Sequence, residues 1–390
     1  MTIRHVFIEP VDVLYLRGNR LFADAGHGEA VMPPWPSLFA GALRSRILAD
    51  ARVDFDAFRR GEVADDRVRA CVGRSPAEPG EFRIVSACLA RNAGEQAGLF
   101  TPAASDLDVV KQKAGPLVAN SLHPVDLRGF GIAGSGGLPR QAVLRSSAPA
   151  KSEEGIWLDA RGMAAYLRGG SVAADSLVKA DSLWKRDPRL GIGLDGARRT
   201  AAQGLLYTSD TVALGQHIGF LVGVAGAGEL LPTSGLLRLG GDGRGAAVTE
   251  WSGAELPRFA LPTGAQRFRM ILSTPGWFGE GGWLPPGVVR NEEEHWFDHQ
   301  GFRARLVAAA VPRAETVSGW DLAEGKPKAA VRVVPPGSVY WFDRAEGSPG
   351  FLEELTTTGL WPLLGNDIEA RRRRAEGYNN VWIGAWPNGR

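Results

Sequence analysis

The sequence predicts an α+β protein built from two β-α-β-β-α-β units, the ferredoxin-like (RRM-like) arrangement. A chain of 390 residues is long for a single hydrophobic core, which favours two domains. In each half, the predicted elements follow the order strand, helix or loop, two strands, helix, strand, which is typical of this split βαβ fold. Residues 257–262 are the best candidate for a linker, so the predicted domains are residues 1–256 and 257–390.

The first unit is predicted to begin with a strand and a helix that are separated by a glycine-rich loop. Apolar residues dominate residues 6–16, which predicts the strand. Phe39, Leu43 and Ile47 recur every four residues and predict a helix over 38–50, with Ser37 placed to cap it. The remaining predicted elements are paired strands over 203–208 and 217–225, further strands over 82–89 and 247–251, and a short helix over 230–239.

The second unit is predicted to be mostly β, and the first unit to carry a large insertion. Residues 115–187 are rich in Gly, Ser, Pro and charged residues, which predicts an elaborate, partly helical insertion in the first domain. The predicted elements of the second unit are strands over 267–273, 316–322, 329–334, 338–342 and 378–386, a strand or helix over 302–312, and a helix over 350–358.

The composition is that of an ordinary globular protein. Hydrophobic residues make up 44% and charged residues 23%, and the net charge is only +2, so a nucleic-acid partner would require a local basic stripe. Cys71 and Cys88 have no metal-ligand spacing and are predicted to be reduced thiols. No apolar run approaches 18 residues, and Glu9 comes too early for a signal peptide. We therefore expect a cytoplasmic protein without membrane contact.

Two motifs could indicate a cofactor or a metal, and neither has the required context. Residues 129–134 match the dinucleotide fingerprint G-x-G-x-x-G, but Pro124 before them and Pro139 after them leave no room for a flanking strand and helix. Residues 292–299 hold two histidines four positions apart, but not in the H-E-x-x-H pattern, so we expect a solvated acidic turn. The sequence predicts no cofactor and no metal.

One face of the first predicted helix could approach a phosphate backbone. Ser37, Gly41 and Arg44 fall at i, i+4 and i+7, opposite Phe39. A small, smooth face that ends in an arginine permits close contact with phosphates. The alternative is that Gly41 only lets the helix pack tightly on a sheet.

A basic run near the C-terminus is the second candidate for RNA contact. Arg371, Arg372, Arg373 and Arg374 lead directly into a glycine, an aromatic residue and a strand. Arginines bind phosphates, glycine exposes backbone N–H groups, and an aromatic ring stacks on a base. The alternative is a solvated surface. His27, within the first glycine-rich loop, could act as a general base, stack on a base, or simply lie at the surface.

Several segments, taken in order, resemble one family, the third subunit of the Cmr complex, which is the type III-B CRISPR effector. Segments that carry the resemblance cover most of the chain outside residues 115–187. They are D-V-L-Y-L-R-G-N-R-L-F (12–22), P-P-W-P-S-L-F-A-G-A-L-R (33–44), G-I-G-L-D (191–195), G-L-L-Y (204–207), L-G-G-D-G-R (239–244), S-G-W-D-L (318–322), V-V-P-P-G-S-V-Y-W-F (333–342) and R-A-E-G-Y (374–378).

The resemblance implies a non-catalytic member of the RAMP superfamily that binds the repeat-derived 5′ tag of the crRNA. It also implies docking on the large polymerase/cyclase-like subunit and other Cmr subunits, with only indirect contact to target RNA. The glycine-rich loop of the superfamily maps to residues 377–384, where Tyr378, Asn379 and Asn380 replace the further glycine of many relatives. The predicted RNA-binding residues are Arg17, Arg20, His27, Ser37, Gly41, Arg44, Arg371, Arg372, Arg373, Arg374, Gly377, Tyr378 and Gly384.

Two other functions are compatible with the sequence. A metal-independent endoribonuclease that processes crRNA would need a general acid and base, for which His27 or His5 with Tyr15 or Tyr378 are the available parts. A protein-only scaffold would need no RNA affinity. Repeat cleavage and RNA binding, respectively, discriminate these alternatives from the binding subunit.

Overall fold

The computed structural model describes most of the chain. The described residues are 2–16, 27–28, 30–94, 97–113, 115–132, 137–146, 150–195, 198, 200–279, 282–291, 294–321 and 325–387. The helices in them are α1 (Pro36–Asp50), α2 (Phe55–Arg60), α3 (Asp66–Val72), α4 (Ala160–Leu167), α5 (Gly350–Thr358) and α6 (Ile368–Ala375). No helix in this part of the chain is long and apolar enough to cross a membrane.

Strands make up most of the regular structure. They are β1 (Ile3–Pro10), β2 (His27–Gly28), β3 (Gly73–Ser75), β4 (Glu78–Pro79), β5 (Arg83–Arg91), β6 (Gly98–Pro102), β7 (Leu107–Lys111), β8 (Leu117–Ser121), β9 (His123–Val125), β10 (Gln141–Val143), β11 (Ile156–Asp159), β12 (Leu177–Lys179), β13 (Trp184–Asp195), β14 (Thr200–Leu214), β15 (Ile218–Ala225), β16 (Leu236–Arg238), β17 (Gly245–Glu250), β18 (Phe268–Leu272), β19 (Val288–Asn291), β20 (Glu294–His299), β21 (Phe302–Ala310), β22 (Glu315–Val317), β23 (Trp320–Asp321), β24 (Lys326–Pro327), β25 (Val331–Val333), β26 (Val339–Glu346) and β27 (Val381–Gly384). The fold is therefore mixed α/β with antiparallel sheets, as predicted at this level.

The first sheet has eight strands in the order β12-β11-β6-β5-β15-β1-β17-β16, and each neighbouring pair is antiparallel. Helix α1 lies between β1 and β5 in the chain and packs on the sheet through the predicted stripe of Phe39, Leu43 and Ile47, all buried. Between β15 and β17, a single 3₁₀ turn (Gly228–Leu230) stands where the sequence predicts a helix over 230–239. That prediction is wrong, because residues 236–238 instead form the edge strand β16.

The second sheet has six strands in the order β19-β20-β21-β26-β18-β27. The hairpin β19–β20 lies between β18 and β21 in the chain, and α5 and α6 lie between β26 and β27. The expected acidic turn at residues 292–299 is wrong for its described part, since residues 294–299 are strand β20 with Phe297 in the core.

The two sheets share a hydrophobic core. One buried cluster contains Leu158 and Tyr166 from the part of the chain before residue 256 and Ile271 and Trp341 from the part after it. All strands of the first sheet come before residue 251 and all strands of the second after residue 267. Division into domains 1–256 and 257–390 stays a prediction, because the shared cluster joins the two sheets into a continuous core.

Residues 92–217 separate β5 from β15, a longer stretch than the predicted insertion at 115–187. Within it, β6, β11 and β12 extend the first sheet, while β13 and β14 pair along most of their length as a long antiparallel hairpin. The predicted pairing of 203–208 with 217–225 is wrong, since β14 pairs with β13 and β15 pairs with β1 and β5. Strand pairing depends on contacts far apart in sequence, which local patterns do not report.

Helix α1 begins at Pro36, two residues before the predicted start at residue 38. Its N-cap is Trp35, and no side-chain hydrogen bond caps it, so the predicted cap by Ser37 is wrong. Proline at the first helical position explains the difference, because its φ suits the helix start and it lacks the N–H that would need a partner.

Candidate nucleic-acid interface

The four consecutive arginines lie on α6. Because successive residues of an α-helix are rotated by about 100°, their side chains point in different directions. Arg371 is exposed, and its Nη2 donates a hydrogen bond of 2.8 Å to the carbonyl of Pro79 on β4. Arg372 is half-buried, with Nη1 3.8 Å from a Glu369 carboxylate oxygen. Arg374 is half-buried beside the first sheet. The run is therefore neither a uniform basic stripe nor a simple solvated surface.

Arg373 is buried and serves the fold. Its Nε donates to Glu369 Oε1 at 2.8 Å and its Nη1 to Glu376 Oε2 at 3.1 Å. Its guanidinium also lies over the ring of Tyr378, 5.6 Å from the centroid. With both carboxylates paired to it, Arg373 holds the end of α6 against the following turn and has no surface to offer a phosphate in this conformation.

The turn after α6 lies inside the protein. Tyr378 is fully buried, and its carbonyl accepts a hydrogen bond of 2.9 Å from Trp361 Nε1. Burial raises the pKa of the Tyr378 hydroxyl. Gly377 has φ +85°, and a Cβ placed there would lie 2.8 Å from Ile84 Cβ. Gly384 is buried in β27, paired with Arg269. In this structure, these three predicted contacts are inaccessible to RNA, and the ring of Tyr378 cannot stack on a base.

Asn379 and Asn380, where many relatives keep a glycine, join α6 to the rest of the chain. Asn379 has φ +64°, a conformation that asparagine tolerates better than most residues, and its side chain bonds both backbone groups of Trp277, at 2.6 and 3.0 Å. Asn380 Nδ2 donates to the carbonyls of Gly377 and Ile84. Sequence reasoning missed these roles, although an Asn-Asn pair after a helix is a signal for a left-handed turn with side-chain bonds to backbone.

Three arginines lie on α1, β5 and α6, where both helices contact β5, and we call them the arginine cluster: Arg44, Arg83 and Arg374. Arg44 Nη2 donates a hydrogen bond of 3.1 Å to the Val72 carbonyl. Arg83 is the first residue of β5 and precedes Ile84, which lies against Gly377. The positive charge of Arg374 is close enough to lower the pKa of Arg83. Among the described residues, the buried Nε atoms of Arg44 and Arg374 have no hydrogen-bond partner.

The electrostatics of the arginine cluster favour an anion. Burial lowers the pKa of Arg83 to about 10, with the charge of Arg374 adding to the shift and Glu81 opposing it. Burial also lowers the pKa of Arg374 and of Arg44. A lowered arginine pKa means that the charged form is under-stabilised in the free protein, so a phosphate placed among these groups would restore the lost solvation.

The remaining predicted site residues are placed as follows. Gly41 lies on the exposed side of α1 with open space where a Cβ would be, so the alternative that it packs against a sheet is wrong. Ser37 is half-buried one turn before it. His27 lies in β2, where its backbone pairs with Thr208 of β14, and its side chain lies outside the described part of the structure. Arg17 and Arg20 also lie outside the described residues.

The arginine cluster combines one predicted residue from each helix with Arg83, which sequence reasoning missed. A signal was available, since Arg83 directly precedes the apolar strand Ile84-Val85 and a charged residue at a strand start is often half-buried. Without the packing of α6 on β5, nothing in the sequence links residue 83 to residue 374.

The candidate catalytic residues contact different regions of the chain. His5 Nδ1 lies 3.7 Å from Glu255 Oε1, the ring of Tyr15 carries the guanidinium of Arg244 at 5.0 Å, and Tyr378 is buried. The described residues contain no group of three or more His, Cys, Asp or Glu side chains arranged to hold a metal ion.

Comparisons with known proteins assign the chain to a class and then to a family. Residues 6–386 match the sequence model of a family of CRISPR-associated proteins. That family is described as CRISPR-associated protein (Cas_Cmr3), and the chain belongs to it and so to the components of the Cmr effector complex. No curated protein is matched by the chain.

The chain is also similar to subunits of solved type III CRISPR structures. One is a chain of the type III-B Cmr-beta complex bound to cognate target RNA and AMPPnP, with 14% identity, 97% of this chain and 96% of that chain covered, and a TM-score of 0.44. Another belongs to the Csm3–Csm4 subcomplex of the type III-A interference complex, with 11% identity, coverage of 86% and 92%, and a TM-score of 0.34.

Proposed function

We propose that this chain is a non-catalytic subunit that binds the 5′ tag of the crRNA in a type III-B Cmr effector and docks on the large polymerase/cyclase-like subunit. The arginine cluster carries the RNA part of the proposal. Three guanidinium groups with lowered pKa values lie on α1, β5 and α6, those of Arg83 and Arg374 close enough to repel each other, and Glu376 near Arg44 is already engaged by Arg373 and Lys328. An RNA phosphate would supply the negative charge that these arginines lack in the free protein.

The exposed side of α1 extends this surface. Ser37 is small and half-buried and Gly41 has no side chain, so an RNA backbone can approach the helix closely before it reaches Arg44. Arg371, exposed on α6, and Arg374 continue the positive surface on the other side. The RNA contact we propose is therefore a track across α1 and α6, with Arg373, Gly377, Tyr378 and Gly384 supporting it from inside.

The strand orders support two ferredoxin-like units. In the first sheet, β5-β15-β1-β17 reproduces the order 2-3-1-4 of a β-α-β-β-α-β unit, with α1 as its first helix and a 3₁₀ turn in place of its second. In the second, β21-β26-β18-β27 has the same order, with the hairpin β19–β20 in place of the first helix and α5 and α6 as the second. Residues 92–217 are then an insertion in the first unit.

The insertion adds a second surface for partners. The hairpin β13–β14 exposes Leu190 and Ile192 on one strand, with Lys185, Arg186 and Arg189 along the same strand. Exposed apolar side chains among cations suit contact with RNA and with neighbouring subunits. Family membership supports such partners, since the chain is a component of a multi-subunit complex.

A non-catalytic role is supported by the dispersal of His5, Tyr15 and Tyr378. The endoribonuclease alternative predicts cleavage of repeat RNA by the purified chain, lost in a His27→Ala variant. We expect intact RNA after incubation, resolved on a denaturing gel. Cleavage that depends on His27 would replace the binding subunit with the enzyme.

RNA binding is tested by filter binding of a tag-containing RNA at several salt concentrations. We expect affinity to fall linearly with salt on logarithmic axes, and Arg374→Ala to weaken binding and to reduce the slope by about one. Arg67→Ala is the matched control, because it removes the same charge from an exposed arginine paired with Asp65 on α3. No RNA affinity at any salt concentration would favour the protein-only scaffold. Equal effects of the two variants would remove the arginine cluster from the interface.

Docking is tested by co-purification. The chain, co-expressed with the large subunit of the complex, is expected to elute with it in gel filtration at high salt, where RNA contacts are weakened. Separate elution under those conditions would contradict direct docking.

A further inference from the structure

A cleft opens between the two sheets and is roofed by the chain segment that joins them. One side is formed by β1 and β5, the other by β27 and α5, and residues 255–259 cross above it. About 600 Å³ of unoccupied space lies in and around it, with the open solvent at its mouth included. This cleft is distinct from the arginine cluster, which lies on α1, the start of β5 and α6.

Polar groups from four elements converge on the cleft. They are His5 on β1, Ser86 on β5, Ser273 after β18 and Thr356 on α5. Gly223 on β15 makes room for the first two, since a Cβ at that position would collide with Ser86 Oγ and lie 3.1 Å from His5 Nε2. The glycine therefore keeps an imidazole nitrogen and a hydroxyl side by side at the base of the cleft.

The cleft has little net charge. Burial lowers the pKa of His5, and although Glu255 opposes this shift, Arg258 adds to it, which favours the neutral imidazole. Arg258 and Glu255 in turn lie 3.9 Å apart at the roof. The walls are aliphatic side chains and the half-buried indole of Trp382. Neutral hydrogen-bonding groups beside an aromatic ring suit a flat heteroaromatic ring with a polar edge better than they suit a phosphate.

The cleft adjoins the arginine cluster along two segments of chain. On β5, Ser86 follows Arg83 by three positions, about 10 Å of extended strand. On the other side, Trp382 follows the turn after α6, and the bond from Asn380 Nδ2 to the Ile84 carbonyl ties the two segments together. When the phosphate of a nucleotide lies at Arg83 and Arg374, the base of the same RNA strand can therefore reach the cleft.

We infer that this cleft binds one unstacked nucleobase of the RNA whose phosphates lie on the arginine cluster, with Trp382 as the stacking surface and Ser86 and His5 as hydrogen-bonding groups for the base edge. The inference rests on the proposed function, because the arginine cluster supplies the phosphate contact. It adds base recognition to a surface that otherwise reads only the backbone. A base held in this way also explains why neutral polar groups line the cleft so close to a strongly basic site.

The test is a scan of tag RNAs in which one nucleotide at a time lacks its base. We expect the wild-type chain to lose about 5- to 160-fold in affinity at one position and little at its neighbours, the range for a single stacked base. Thr356→Leu fills the cleft from α5 and should lower affinity for the intact RNA while abolishing the loss at that position. Thr357→Leu is the matched control, since the next residue of the same helix is not part of the cleft wall, and it should keep the wild-type profile.

A second variant shows whether the effect of Thr356→Leu comes from filling the cleft or from a local change in α5. Ser86→Leu fills the cleft from β5 and should give the same flat profile as Thr356→Leu, while thermal melting confirms that both variants are folded. Arg374→Ala should instead weaken binding of every RNA in the scan and keep the position-specific loss. A flat profile in the wild-type chain, or an unchanged profile in both filled variants, would overturn base binding while leaving salt-dependent RNA affinity intact. Protection of the cleft by a protein subunit in RNA-free complex would equally overturn it.

Discussion

Arg269 Nη1 donates a hydrogen bond of 2.6 Å to Asp106 Oδ2, and both side chains are almost completely removed from solvent. Arg269 belongs to β18 of the second sheet, whereas Asp106 follows β6 of the first. The Tyr166 hydroxyl donates to the other carboxylate oxygen at 2.6 Å, and its ring lies under the guanidinium at 4.3 Å. Remaining arginine donors reach the carbonyls of Tyr166 and Ala385. A satisfied ionic group thus sits at the centre of the contact between the sheets.

The first prediction concerns this buried pair. Asp106→Asn keeps the shape but leaves the Arg269 charge uncompensated, so we expect the free energy of unfolding to fall by about 3–5 kcal/mol. Urea unfolding monitored by tryptophan fluorescence measures the loss. The double variant Asp106→Leu with Arg269→Met should recover part of it, because no charge is then left buried.

Glu62→Gln is the control for the first prediction. It removes the carboxylate of an exposed pair with Arg60 and should leave the unfolding midpoint unchanged. Equal midpoints for Asp106→Asn and the wild-type chain would mean that water reaches Arg269 and that the two sheets are not held together by this pair.

The second prediction concerns Gly377 at the end of α6. Gly377→Ala must accept φ +85° and a Cβ 2.8 Å from Ile84 Cβ, so we expect a loss of about 3 kcal/mol from backbone strain and overpacking together. Gly264→Ala, with φ +79° and open space around the new Cβ, isolates the backbone part and should cost about 1 kcal/mol. Similar losses for the two variants, measured by urea unfolding, would show that Ile84 moves away without cost.

Local patterns in the sequence predicted local structure well. The stripe of Phe39, Leu43 and Ile47 marks α1 because a helix repeats every 3.6 residues regardless of its neighbours. The missing second helix of the first sheet was not predictable, since apolar residues at 230–239 fit a helix or an edge strand equally until β17 pairs with them. The pairing partner of β14 was not predicted for the same reason, because strand pairing and register depend on strands that are distant in the sequence.

The candidate site shows a similar limit. A glycine followed by an aromatic residue has the same sequence whether the ring faces RNA or, as with Tyr378, the core. The run 371–374 predicted positive charge correctly, but its division into the buried Arg373 and the accessible Arg371 follows from helical rotation against β4 and β5. Arg83 became part of the site only through tertiary packing.

The third prediction concerns the pH dependence of stability. Burial raises the pKa of Cys71 to about 11 and that of Cys88 to about 12, from a usual value near 9. Above pH 9 the unfolded chain therefore loses thiol protons that the folded chain keeps, so stability falls as pH rises from about 9 to 11, by about 1.4 kcal/mol per pH unit for each thiol. Below pH 8 the effect is absent.

Cys88→Ala isolates one thiol of the third prediction. Its free energy of unfolding should be lower than that of the wild-type chain at pH 7, because a buried side chain is truncated, but should fall less steeply between pH 9 and 11. Parallel pH profiles for the two proteins would contradict burial of the thiol, as would stoichiometric alkylation of the native wild-type chain within minutes at pH 8.

The fourth prediction is that the arginine cluster lowers the free energy of unfolding of the free chain while it increases the affinity for RNA. Burial and the charge of Arg374 make the protonated form of Arg83 unfavourable in the free chain, so Arg83→Met should raise the free energy of unfolding by about 1 kcal/mol while weakening RNA binding. Arg67→Met changes the same charge at an exposed position and should affect neither quantity appreciably. If Arg83→Met lowered stability and affinity together, Arg83 would be a structural residue whose RNA effect is indirect. A gain in stability with a loss of affinity, by contrast, is the result that a merely structural arginine would not produce.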